Sequence, residues 1–172
     1  ATIMTSATLA VDGSFDYQRT RLGIRDAVEL QLASEFDFAE QTVLYLPTRM
    51  PEPRAPDFTS AAAEHILALL AATRGRAFVL FTSYQQMQAC YKMLADELPY
   101  PVLIQGRTSR SRLLEQFRQK PQAVLFATSS FWQGIDVKGE ALSCVIIDKL
   151  PFQVPSDPLV QARIREIEQS GG

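Results

Sequence analysis

Three polar stretches hold the residues of this sequence best suited to handle a phosphate. The richest is Thr128-Ser129-Ser130-Phe131-Trp132-Gln133-Gly134-Ile135-Asp136-Val137-Lys138-Gly139. Its hydroxyls can hold phosphates, and Phe131 and Trp132 (the sole tryptophan) can stack on a base or pack beneath the loop. Gly134 permits close backbone approach, and Asp136 can bind a ribose hydroxyl or orient an arginine. A capped short helix with an ordinary turn is the alternative. The second stretch, Gln105-Gly106-Arg107-Thr108-Ser109-Arg110-Ser111-Arg112, opens a strongly basic run. Arg107, Arg110, Arg112, Arg118 and Lys120 stand there against a single acid, Glu115. The run is either a backbone-contact patch or a solvated helix face. The third is Thr82-Ser83-Tyr84. Hydroxyls and free amides at a helix start suit a nucleic-acid phosphate, and the same residues also serve as a plain helix cap.

Triphosphate hydrolysis needs more than this. No Gly-x-x-x-x-Gly-Lys-Ser/Thr loop occurs, and no Asp-Glu metal pair follows a strand pattern. The two cysteines, Cys90 and Cys144, lie far apart among apolar neighbours and read as buried free thiols rather than metal ligands. The single histidine, His65, falls in an Ala/Leu-rich run and reads as a helix-surface residue.

The elements that must position these stretches follow from hydrophobic pattern. Short continuous apolar runs at 42–46, 77–81, 102–104, 123–127 and 144–147 read as strands covered on both faces. Helical patterns lie between them. The first spans 59–73, with Thr59 or Ser60 as cap, and ends at Gly75. The second spans 84–98, capped by Thr82-Ser83 and stopped by Pro99. The third spans 109–119, and the last spans 157–169, opened by Asp157-Pro158. Alternation of this kind predicts an α/β domain: a parallel sheet of about five or more strands with helices on both faces. Ligands of such sheets bind at the C-terminal strand ends, which is where the three polar stretches fall.

The first forty residues are different. A segment at 3–9 precedes the turn residues Asp12-Gly13, a short helix is expected over 15–23, and 30–34 is ambiguous. The stretch 47–57 holds Pro47, Pro51, Pro53 and Pro56 and reads as an extended, structured loop. The chain has 172 residues, 47% of them hydrophobic, enough for one ordinary domain with a proper core. A net charge of −2 excludes an indiscriminate basic nucleic-acid binder but not a local basic groove. No apolar run approaches a membrane span and no signal pattern opens the chain, so a soluble, cytosolic protein is expected. Ala1 and the terminal Gly171-Gly172 suggest a piece of something longer.

In order and spacing, the motifs resemble those of superfamily 2 helicases of the iron–sulfur XPD/DinG family, nearest its bacterial YoaA/DinG branch. Met4-Thr5-Ser6-Ala7-Thr8-Leu9 resembles motif III, and Ser34-Glu35-Phe36-Asp37-Phe38 the S-P-F-D-F element after it. Phe81-Thr82-Ser83-Tyr84 resembles motif IV, Gln105-Gly106 the segment that follows, and Thr128 to Gly139 motif V. Lys149-Leu150-Pro151-Phe152, with Pro155 and Asp157-Pro158, resembles the K-L-P-F…P-x-D-P stretch. Two residues depart from the pattern. Glu35 stands where proline is usual, and Gln133 replaces the motif V glutamate, so no role of that carboxylate carries over.

The resemblance implies a RecA-like second motor domain of an ATP-dependent 5′–3′ DNA helicase acting in DNA repair. Residues 1–9 would end the first motor domain, 10–40 would connect, and 41–172 would form the second domain, stopping before motif VI. It implies single-stranded DNA contact by Ser83, Tyr84, Gln105, Arg107, Thr128 and Ser129. Gly134 and Asp136 would face the nucleotide, and Thr5 and Ser6 would couple hydrolysis to DNA binding. ATP with Mg2+, and a 4Fe–4S cluster in the first motor domain, would be the cofactors of the whole protein, with none bound within this chain. Single-stranded DNA, the first motor domain, and other repair or replication proteins would be its partners, in the bacterial cytoplasm. Two other readings remain. One is a non-catalytic RecA-like docking module using Trp132 and the proline loop, and the other is an RNA helicase domain, against which the K-L-P-F element argues.

Overall fold

The computed structural model describes residues 2–128, 131, 135, 137, 139–151 and 157–169. The chain divides into two compact units, Ala1–Leu46 and Pro47–Gly172. In the second unit, four strands form one fully parallel sheet: β1 (Ala77–Phe81), β2 (Val102–Ile104), β3 (Val124–Thr128) and β4 (Cys144–Ile147), in the order β2-β3-β1-β4. Every residue of β1 is buried, as its unbroken apolar run requires when both faces are covered. Phe81 aligns with Thr128 on one side, and Leu80 with Ile147 on the other.

Helices cover both faces. α3 (Phe58–Thr73) and α4 (Tyr84–Leu94) pack Ile66, Leu70, Met87, Cys90 and Leu94 against Val79, Phe81 and Phe126. α5 (Arg110–Gln119) packs Leu113 and Phe117 against Phe78, Leu80, Leu103 and Leu125 on the opposite face. Aromatic contacts run within the sheet and from it to each helical layer. The Phe81 and Phe126 rings stack at 5.9 Å, Tyr91 meets Phe126 edge-on at 5.8 Å, and Phe78 meets Phe117 at 4.7 Å.

The elements begin and end for local reasons. Ser83 caps α4 by accepting from Gln86 N at 3.1 Å, and Ser109 caps α5 by accepting from Arg112 N at 3.4 Å. α6 (Pro158–Gln169) starts after Asp157, whose carboxylate accepts from Leu159 N and Val160 N. α3 ends in a left-handed run, Arg74, Gly75 and Arg76, with φ of 57°, 71° and 52°, that swings the chain directly into β1. Gly75 is required there, because a Cβ would sit 2.1 Å from the Gln122 carbonyl oxygen.

Several expectations need correction. Residues 42–46 form no strand, so the sheet has four strands among the described residues rather than five or more. Val43 and Leu44 are 92% and 81% exposed, and without a ladder the extended run stays unpaired. Thr59 and Ser60 do not cap α3. Asp57 holds the N-cap position, and the Ser60 hydroxyl donates back to its carbonyl at 2.9 Å. α4 closes at Leu94, with Leu98 N turning back to Leu94 O before Pro99. β3 starts one residue later than expected because Ala123 N closes a turn to Lys120 O.

In the first unit, α1 (Asp16–Leu22) ends on a left-handed Gly23, as the 15–23 pattern predicts. A four-residue helix not foreseen, α2 (Phe38–Gln41), is capped by the Asp37 carboxylate. None of the described residues of this unit is buried. Among the described residues, no helix is long and apolar enough to cross a membrane.

Candidate nucleic-acid interface

The C-terminal ends of β1, β2 and β3 bring five of the expected DNA-contact residues to one edge of the sheet. Ser83 and Tyr84 follow β1, Gln105 and Arg107 follow β2, and Thr128 closes β3. Gln105 ties this edge together. Its backbone N–H continues the ladder to Phe126 O at 2.9 Å, which aims its side chain at the next strand. There its Oε1 accepts from Thr128 N at 2.7 Å and from the Thr128 hydroxyl at 3.0 Å. The Thr128 hydroxyl therefore spends its proton on Gln105 and keeps only acceptor capacity.

Tyr84 leans across from α4, donating to Gln105 O at 3.4 Å with half of its surface exposed. Gly106 makes room for it. A Cβ at position 106, where φ is +101°, would lie 2.3 Å from the Tyr84 hydroxyl oxygen. Ser83 accepts a capping bond and retains its own O–H to donate outward. A polar shelf results, with an aromatic ring at its centre and donors beside it.

Arg107 of the β2–α5 loop and Arg110 at the start of α5 part to opposite faces. The Arg107 guanidinium lies 5.0 Å from the Tyr91 ring on the α4 side, and that of Arg110 lies 5.5 Å from the Phe131 ring on the α5 side. Both residues are exposed, and each places its guanidinium within cation–π range of an aromatic ring. Positive charge thus lies on either side of the shelf.

Of the other expected site residues, Thr5 and Ser6 belong to the first unit. Ser6 Oγ there accepts from Thr8 N at 3.2 Å, a local turn. Ser129, Gly134 and Asp136, with Trp132 and Gln133 of the same stretch and Phe152 and Pro155, lie outside the described residues. Among the described residues, no group of three or more His, Cys, Asp or Glu is placed to hold a metal ion.

One residue of the edge escaped the sequence reading. Asp148, directly after β4, accepts from Thr82 N at 3.0 Å and so fixes the turn that carries Ser83 and Tyr84. Burial raises its carboxyl above the usual range, against the lowering effects of the Thr82 N–H and the Lys149 charge. An acid at the end of an apolar run, before a lysine, was the only available signal. The thiols respond to burial alike. Cys90, buried in the core, is pushed up to about 11, mainly by desolvation with a smaller push from Asp148, and Cys144 is also raised by burial.

A doubly covered parallel sheet whose loops gather hydroxyls and arginines at its C-terminal edge defines a RecA-like α/β domain. The chain belongs to the helicase C-terminal domain family, which it matches over residues 66–172. It is 44% identical over 172 residues to the ATP-dependent DNA helicase YoaA of Haemophilus influenzae, covering 100% of this chain and 27% of that protein. It is 42% identical over 170 residues to the YoaA of Escherichia coli, covering 99% and 27%. The ATP-dependent helicase DinG of Mycobacterium tuberculosis is 39% identical over 175 residues, covering 99% and 26%. The resemblance carried by the motifs is thereby borne out. The chain spans about a quarter of the length of these relatives.

Proposed function

We propose that this chain is the second motor domain of an ATP-dependent DNA helicase of 5′–3′ polarity, and that it grips single-stranded DNA along the C-terminal edge of its sheet. The observation that carries the reading is the shelf itself: Tyr84 exposed at its centre, Ser83 with a free proton, and Arg107 and Arg110 on either side. An exposed aromatic flanked by cations suits a single strand, whose bases can stack while its phosphates are neutralised. The names of the relatives, ATP-dependent DNA helicases, supply the nucleic acid and the energy source.

Catalysis in such a protein is shared. ATP and Mg2+ would be held mainly by a first motor domain, with Gly134 and Asp136 of this chain lining the far wall of the cleft. Thr5 and Ser6 would report hydrolysis to the DNA side. A 4Fe–4S cluster would belong to the first domain. The residues 1–9 and 10–40 would be the tail of that domain and its connection to this one, and the whole protein would act in the bacterial cytoplasm.

The test is equilibrium binding of a labelled oligo(dT) to the complete helicase across a salt series. Arg107→Ala should flatten the log–log salt slope by about 0.7 for each phosphate that its guanidinium neutralises. An unchanged slope and affinity would move the DNA path elsewhere.

A further inference from the structure

We propose that Asp148 is a positioning residue for the nucleic-acid grip, its carboxylate standing in for a ladder residue and holding the β1–α4 turn so that Ser83 and Tyr84 face outward. The inference rests on the reading of those two residues as the grip.

The register explains why an acid is placed here. β4 pairs with β1 only as far as Leu80 and Ile147, and Asp148 N makes a last bond to Leu80 O at 3.1 Å. Beyond that point the next β1-side donor, Thr82 N, has no strand to pair with on this edge. The Asp148 side chain turns across the strand end and takes that donor through Oδ1 at 3.0 Å. A carboxylate makes a shorter, stronger bond to a peptide N–H than a neutral acceptor would. The turn is thus held from β4, through one atom pair, immediately before the residue that caps α4.

Apart from that bond, the Lys149 charge and the peptide N–H groups of Asp148 and Lys149 favour the charged carboxylate. Its Oδ2 is buried and, among the described residues, makes no hydrogen bond. Burying an oxygen of a half-buried carboxyl without a hydrogen bond costs stability, so the position is not explained by stability alone.

The neighbouring Lys149 has partners of its own. Its Nζ lies 4.6 Å from the Phe58 ring and donates to Pro53 O at 3.3 Å. The dipeptide after β4 therefore clasps two loops, the grip turn through Asp148 and the proline-rich loop through Lys149. Any displacement of the segment that follows β4 reaches Thr82 through this clasp.

The experiment uses the complete helicase and compares Asp148→Ala with Asp148→Asn by oligo(dT) affinity, with circular dichroism to establish folding. Asp148→Ala should weaken binding about tenfold, and Asp148→Asn should stay within about threefold of the parent, because its amide oxygen still accepts the Thr82 N–H. Binding by Asp148→Ala equal to the parent, or by Asp148→Asn as weak as by Asp148→Ala, overturns the proposal. If Asp148→Ala does not fold, Thr82→Pro deletes the same bond from the donor side. Weakened binding by that variant supports the proposal and parental binding overturns it. Tyr84→Ala separates the two levels of inference. If Tyr84→Ala binds as the parent does, the grip reading itself fails. If it binds weakly while Asp148→Ala does not, only the positioning role fails.

Discussion

Residues 42–46 and strand β1 are near twins in sequence: Thr-Val-Leu-Tyr-Leu against Ala-Phe-Val-Leu-Phe. One is exposed and joins no ladder. The other is buried throughout, with a parallel strand on each side. Both runs have strand propensity, so propensity cannot be what separates them. Partners separate them: β1 is entered from a left-handed hook, left through a capped helix, and covered by α3 and α4 on one face and α5 on the other. Strand formation here is a tertiary event that local sequence permits but does not compel.

The largest test of this contrast is a pair of truncations. Phe81→Ala should cost about 3–5 kcal/mol in urea unfolding, because the ring stacks on Phe126 in a sealed core. Leu46→Ala, at a side chain 71% exposed, should change stability by no more than about 0.5 kcal/mol. A comparable loss at both positions would break the comparison.

Next in size is the entrance to β1. Gly75→Ala forces a side chain into a positive φ and against the Gln122 carbonyl, so destabilisation of at least about 1 kcal/mol is expected. A neutral result would mean that the hook can relax without disturbing the strand.

A further test sharpens the point through pH. Cys90 shares the core cluster with Phe81. Burial disfavours its thiolate, so the unfolded chain ionises first, near pH 9, and the folded chain only near 11. Stability should therefore fall as pH rises through that window, and Cys90→Ala should lack this component. The urea midpoint measured across the window for both proteins checks the sign. Identical slopes would show that the thiol is not sealed in.

Much of this architecture was legible because its signals were redundant. β1, β2 and β4 are apolar runs bounded by caps, prolines or turn residues, and Ser83, Ser109 and Asp157 each announce the helix they cap. The run at 42–46 misled because an apolar string carries no information about whether a neighbouring strand exists. α2 was missed because four residues show no period, and only Asp37 hinted at it. At the candidate interface, the motif resemblance singled out Gln105 and Thr128, but not that they bond to each other and so lock two strand ends. Asp148 was illegible for a deeper reason. Its importance lies in a hydrogen bond to a residue 66 positions away, which only the strand order creates.

That strand order also decides how the domain carries load. β1 lies between β3 and β4, paired through five residues on one side and four on the other. Tension applied at Thr82 along the strand axis would strain both ladders in shear, with their hydrogen bonds resisting together. Tension across β4, which among the described residues pairs with β1 alone, would peel its bonds open one at a time. A load entering at the end of β1 is thus shared between two ladders from the start.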